Sequence, residues 1–172
     1  MPTVPLYPQD EGGVTLPTSG GPLYLPQRRL YVWARVGGEY APRQAVLDTG
    51  AATCVFSRVV WDGFEKRREI EWVSHPPGGS DRSVLPRTTI LKGTYPFRLG
   101  RVAVQVVEFN GEAALPPVSV LVQCLEDMPV APADPPQLPR LLLVGLDGIL
   151  RGRTLTVTAS ADGTAWAASL AE

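Results

Sequence analysis

The chain has 172 residues, enough for one domain with a sizeable core and too few for two generous ones. Its 16 basic and 17 acidic residues leave a net charge of -1, which argues against a nucleic-acid partner or an anionic membrane partner held by bulk charge. Two cysteines and one histidine remove most metal chemistry and every mechanism that pairs a histidine with a distant base, so no metal and no other cofactor is expected.

Residues 1–27 are rich in proline and glycine, cannot propagate a helix or hold a central strand, and are expected as an extended arm outside a single domain of residues 28–172. The opening MPTVPLYPQDEGG has neither a basic n-region nor a long apolar h-region. No later segment reaches the uninterrupted apolar length of a membrane span, so a soluble cytoplasmic protein without a membrane partner is the expectation. RLYVWARV (29–36) alternates Leu30, Val32, Ala34 and Val36 with Tyr31, Trp33 and Arg35, the period of a two-faced strand. Gly37 and Gly38 then turn the chain into a second strand-like run that ends at Asp48.

RVVWDGFEKRREIEW (58–72) admits a short helix or an irregular hairpin, and its pattern decides for neither. HPPGGSDRS (75–83) reads as a mobile, turn-rich tip with His75 exposed. SVLPRTTIL, TYPFRLGRVAVQVVEF, PVSVLVQC, RLLLVG and TLTVTASADGTAWAA are β-branched or alternating runs, the last with an Asp-Gly hairpin signal. The prolines of CLEDMPVAPADPPQLPR place a surface insertion at about 126–139. The architecture is therefore expected to be mostly β. Cys54 and Cys124 lie in apolar strand-like runs, where a free cysteine packs as a small hydrophobe. The four tryptophans, Trp33, Trp61, Trp72 and Trp166, are expected to serve packing.

Asp48 stands between two apolar runs, in QAVLDTGAATCVFS. An enclosed carboxylate costs several kcal/mol, roughly, unless it is paired, hydrogen-bonded or protonated. In Asp-Thr-Gly after an apolar strand, glycine permits a tight turn and close approach, the threonine hydroxyl can bond backbone across an interface, and the aspartate is held at a cleft floor. Two such carboxyls brought face to face cannot both ionise comfortably. They share a proton, so one can take a proton from water while the other donates to a scissile carbonyl. The bland alternative is a strand-end turn in which an Asx-type bond satisfies the carboxylate. A phosphorylated-aspartate chemistry would want a second aspartate two positions on, where Gly50 stands.

AVLDTGA at 45–51 resembles the active-site motif of the retropepsin-like aspartic proteases, and LLLVGLDGIL at 141–150 resembles their second signature, an apolar run closed by glycine before a short C-terminal helix. The resemblance runs from about Leu30 to Trp166. It implies a closed, retropepsin-like β-barrel or sandwich with one short C-terminal helix, a flap within 74–94, and an obligate homodimer acting on peptide or protein substrates. Asp48 would then be the catalytic acid and base, Thr49 would lock the two loops together, Gly50 would form the turn, and Ala51 would line the cleft. Gly145 would pack near the Asp48 loop, and Asp147 would start the helix without a catalytic part. Pro76, Pro77 and Pro86 depart from the family's regular, glycine-tipped flap. They keep open a second reading, a dimerisation or peptide-binding module that has kept the fold and lost turnover.

Overall fold

The structure, a computed structural model, describes residues 3–48, 50–79, 81–90, 93–110, 114–126, 142–145, 149–161 and 166–172. Its strands are β1 (Thr3–Thr18), β2 (Gly21–Val36), β3 (Arg43–Leu47), β4 (Cys54–Phe56), β5 (Glu71–Ser74), β6 (Arg87–Ile90), β7 (Gly93–Val107), β8 (Val118–Leu125), β9 (Leu142–Val144), β10 (Thr154–Ala159) and β11 (Trp166–Ala171). One helix, α1 (Arg58–Lys66), follows β4, and a 3-10 turn spans Arg82–Val84. The mostly β class is what the strand-like runs of the sequence announce.

The strands form one sheet in the order β10-β11-β1-β2-β3-β9-β4-β8-β7-β5, with β6 on β7. The expected closed barrel is corrected by this order. The sheet curls far enough for Trp33–Val36 of β2 to meet Val104–Val107 of β7, yet among the described residues it ends in edges at β10 and β5. The cause lies in β2, whose side opposite β3 is taken by β1 as far as Tyr31 and reaches β7 only from Trp33 onward. Residues 146–148 of the expected C-terminal helix lie outside the described residues, and residues 149–152 make a turn. Among the described residues the one α-helix is α1, in the stretch 58–72 whose pattern decided for neither state.

The N-terminal segment also differs from the expected arm. β1 and β2 form a long hairpin about Ser19–Gly20, and Thr3–Leu6 pair with β11, burying Val4 and Leu6. Proline lacks a donor and should disrupt a ladder. Here β1 changes partner at Tyr7, so no part of it carries ladders on both sides. Counting back from the two-residue turn, Pro17 faces Pro22 and Pro26 faces Gly13 at pairs that exchange no backbone hydrogen bonds.

The main core lies on one face of the curled sheet. Val32, Ala34 and Val36, Val102, Val104 and Val106, and Val120, Val122 and Cys124 all point into it at alternate positions. Helix α1 adds Val60, Trp61 and Phe64, and the Trp61 indole N–H donates to the Leu125 carbonyl at 2.7 Å. The Trp72 indole donates to Glu65 at 2.7 Å and meets Trp61 edge-on. Each fully buried side chain of this size contributes about 1.5–3 kcal/mol. Cys54 and Cys124 are buried inside the core as expected of small hydrophobes.

Candidate active site

Strands β3 and β9 run parallel, with Leu47 opposite Val144. The pairing carries one residue further as Asp48 N–H donates to the Val144 carbonyl at 3.0 Å. Asp48 is half-buried at the end of β3, where the chain turns back: Ala51 N–H donates to the Asp48 carbonyl at 3.3 Å and Gly50 N–H to Asp48 Oδ1 at 2.8 Å. This Asx-type bond fixes the carboxylate direction, and Oδ2 takes no hydrogen bond from a described residue. Thr49 and Asp147 lie outside the described residues. Gly50 is exposed with no left-handed φ, and a Cβ there would sit 3.3 Å from Asp48 Oδ1, so the constraint at this position is proximity to the carboxylate.

Gly145 follows β9 and is buried against the next part of the same loop. A Cβ on it would lie 2.3 Å from the Thr53 carbonyl oxygen and 2.7 Å from that of Ala51. Both obstacles are backbone, so nothing nearby can rotate aside. Gly145→Ala is expected to push the Asp48 loop off β9 and to cost about 1–3 kcal/mol or more. Chemical denaturation measures this, and an unchanged midpoint would show that the close approach is not needed.

A hairpin stands over the loop. β6 and β7 pair from Arg87–Pro96 to Ile90–Gly93, with the tip at 91–92 outside the described residues. It overlaps the end of the 74–94 interval expected for a flap and runs past it. Ile90, Tyr95 and Phe97 of the hairpin pack against buried Val55 and Leu125, and Ala51 of the Asp48 loop packs on the same pair. This second, small apolar cluster sits on the sheet face turned away from the main core.

Below the hairpin the chain is tied down by charge. Glu126 and Arg98 are both buried, and Arg98 Nε donates to Glu126 Oε1. Arg98 Nη1 also donates to the His75 carbonyl at 2.5 Å and the Pro76 carbonyl at 3.0 Å, while Arg58 and Arg82 reach Glu126 Oε2 at 3.1 and 3.4 Å. Glu126 N–H donates to the Pro96 carbonyl. The start of the expected surface insertion is thus an interior hub, residues 127–139 lying outside the described ones. His75, expected exposed, is half-buried in a left-handed conformation with its carbonyl on Arg98.

No protein-family model and no curated protein matches the chain. Its chemistry therefore rests on the residues themselves. Burial, reinforced by the Glu126 and Glu65 charges, holds the Cys124 thiol well above its ordinary range, which leaves it inert as a nucleophile. Among the described residues no cluster of three or more His, Cys, Asp or Glu side chains could hold a metal ion, and no helix is long and apolar enough to cross a membrane. Trp61 packs in the core with Trp72 against it, and Trp33 meets Phe109 at a tilt with ring centroids 4.7 Å apart. Sequence reasoning missed Glu126, Arg98, Thr53 and Gln123. The signal for Gln123 was available: one amide inside the apolar run VLVQC.

Proposed function

We propose that the chain is one subunit of a homodimeric, retropepsin-like aspartic endopeptidase. The observation that carries this reading is the Asp48 loop, pinned on β9 by the close approach of Gly145 and sharing an apolar cluster with the β6–β7 hairpin above it. That arrangement offers a directed carboxylate, a floor and a roof. The chain has one Asp-Thr-Gly, so the second carboxyl comes from a second copy across a two-fold axis. One Asp48 takes a proton from water as the water oxygen bonds to the peptide carbonyl carbon. The protonated Asp48 of the other copy donates to the carbonyl oxygen; collapse then breaks the C–N bond and the amine leaves with a proton. The peptide lies extended beneath the hairpin, bound as an added strand. No metal or cofactor is needed, and a cytoplasmic setting, where Cys54 and Cys124 stay reduced, belongs to the proposal.

The test combines a peptide library with dilution. Cleavage is expected, and specific activity should fall as the protein is diluted through the dimer dissociation constant found by sedimentation, because the site exists only on association. A chain that cleaves equally well as a strict monomer would overturn the shared dyad. A dimer that binds peptides and cleaves none would leave the silent binding module in its place.

A further inference from the structure

Three buried side-chain polar atoms have no hydrogen-bond partner among the described residues: Arg35 Nε, His75 Nδ1 and Gln123 Oε1. Such atoms are costly inside a protein, and a ligand is one way to satisfy them. Gln123 is the one placed beside the candidate site. It lies opposite Val55 in the parallel β4–β8 pair and opposite Leu99 in the antiparallel β7–β8 pair. Alternation along β8 sends Val122 and Cys124 into the main core and turns Gln123 and Leu125 to the other face, where Leu125 meets Val55 and Phe97. The Gln123 amide NH2 donates to Thr53 Oγ1 at 3.0 Å, and the Thr53 carbonyl is the group that abuts Gly145. One end of the carboxamide is thereby anchored to the Asp48 loop and the other end is left with nothing to bond.

We propose that Gln123 is a specificity-determining residue: its free amide end bonds the side chain of a substrate residue that displaces the hairpin's apolar side chains from Val55. This rests on the peptidase reading and names its substrate class. As assigned, the free end is an acceptor and calls for an N–H or O–H donor; turned over, it would be a donor. A substrate carboxamide answers either orientation. The favoured peptides therefore carry Asn or Gln at one position, with apolar contact along the stem.

Two measurements test this. In the first, a positional-scanning peptide library is cleaved by the wild type, by Gln123→Leu and by Gln123→Glu. In the second, the same peptides are immobilised and bound by Asp48→Asn chains with and without Gln123→Leu. The wild type is expected to prefer Asn or Gln over Leu at one position by roughly tenfold, the worth of one neutral hydrogen bond. Gln123→Leu should invert that preference. Gln123→Glu, which keeps the acceptor, should move it toward Lys and Arg, and it carries the test if the leucine variant fails to fold. Cleavage with one profile for all three proteins would overturn the inference and leave the peptidase intact. A Gln123-dependent binding preference without cleavage would sustain the inference and remove the peptidase. Neither cleavage nor binding of any peptide would overturn both.

Discussion

An Asp48→Asn chain is expected to fold as the wild type does and to cleave peptides roughly 10²–10⁴-fold more slowly, the usual worth of a positioned acid–base group. The two halves of this outcome come from different atoms. Asparagine keeps an oxygen in the place of Asp48 Oδ1, so the Gly50 N–H bond and the turn persist. What it loses is the ability to take a proton from water. The check is kcat/KM on a peptide drawn from the library, beside a denaturation midpoint. Turnover equal to wild type would mean that Asp48 does nothing but close its turn.

Arg98→Met is expected to lower the stability by about 3–5 kcal/mol, because it strands the buried Glu126 carboxylate without its closest cation. Arg58 and Arg82, about half exposed, cannot replace it: each reaches only Oε2, and solvent screens both. Arg58→Ala alone should therefore cost within about 1 kcal/mol. Urea denaturation of Arg98→Met, Glu126→Leu and the double variant closes a thermodynamic cycle. The double variant should be more stable than the two single losses added together, since the charge left behind by either one is gone. Additive losses would show that the two groups do not act as a pair. The Arg98→Met chain should also release the His75 and Pro76 carbonyls and so loosen the segment leading to the hairpin.

Much of the sheet was legible because its code is local. The alternation in Leu30–Val36 and in the runs that become β7 and β8 needs only period two to be read, and each lands on the face it announces. α1 was not legible, because a helix of nine residues shows only Val60, Trp61 and Phe64 as a buried face, too few to outvote a hairpin. The N-terminal prolines misled because a missing donor matters only where a ladder needs one, and the strand's change of partner at Tyr7 supplies positions where none is needed. Asp48 and Gly145 could be singled out by their motifs, while the contact between Gly145 and Thr53 depends on β9 inserting between β3 and β4. Glu126 and Gln123 were the least legible. Glu126 finds its arginines 28, 44 and 68 positions away, and Gln123 finds Thr53 at 70. The amide inside the apolar run VLVQC marks Gln123 as unusual but not what it bonds, and Glu126, just past the end of β8, carries no local mark of burial.

Strand β7 has uneven support along its length. Among the described residues Gly93–Tyr95 pairs with β6 alone, whereas Leu99–Arg101 is gripped by β8 and β5 at once. Mechanically this is a cantilever, stiff at the root and compliant beyond Phe97. Bending must concentrate at that junction, so the hairpin can swing as a small paddle while the sheet at its root stays still.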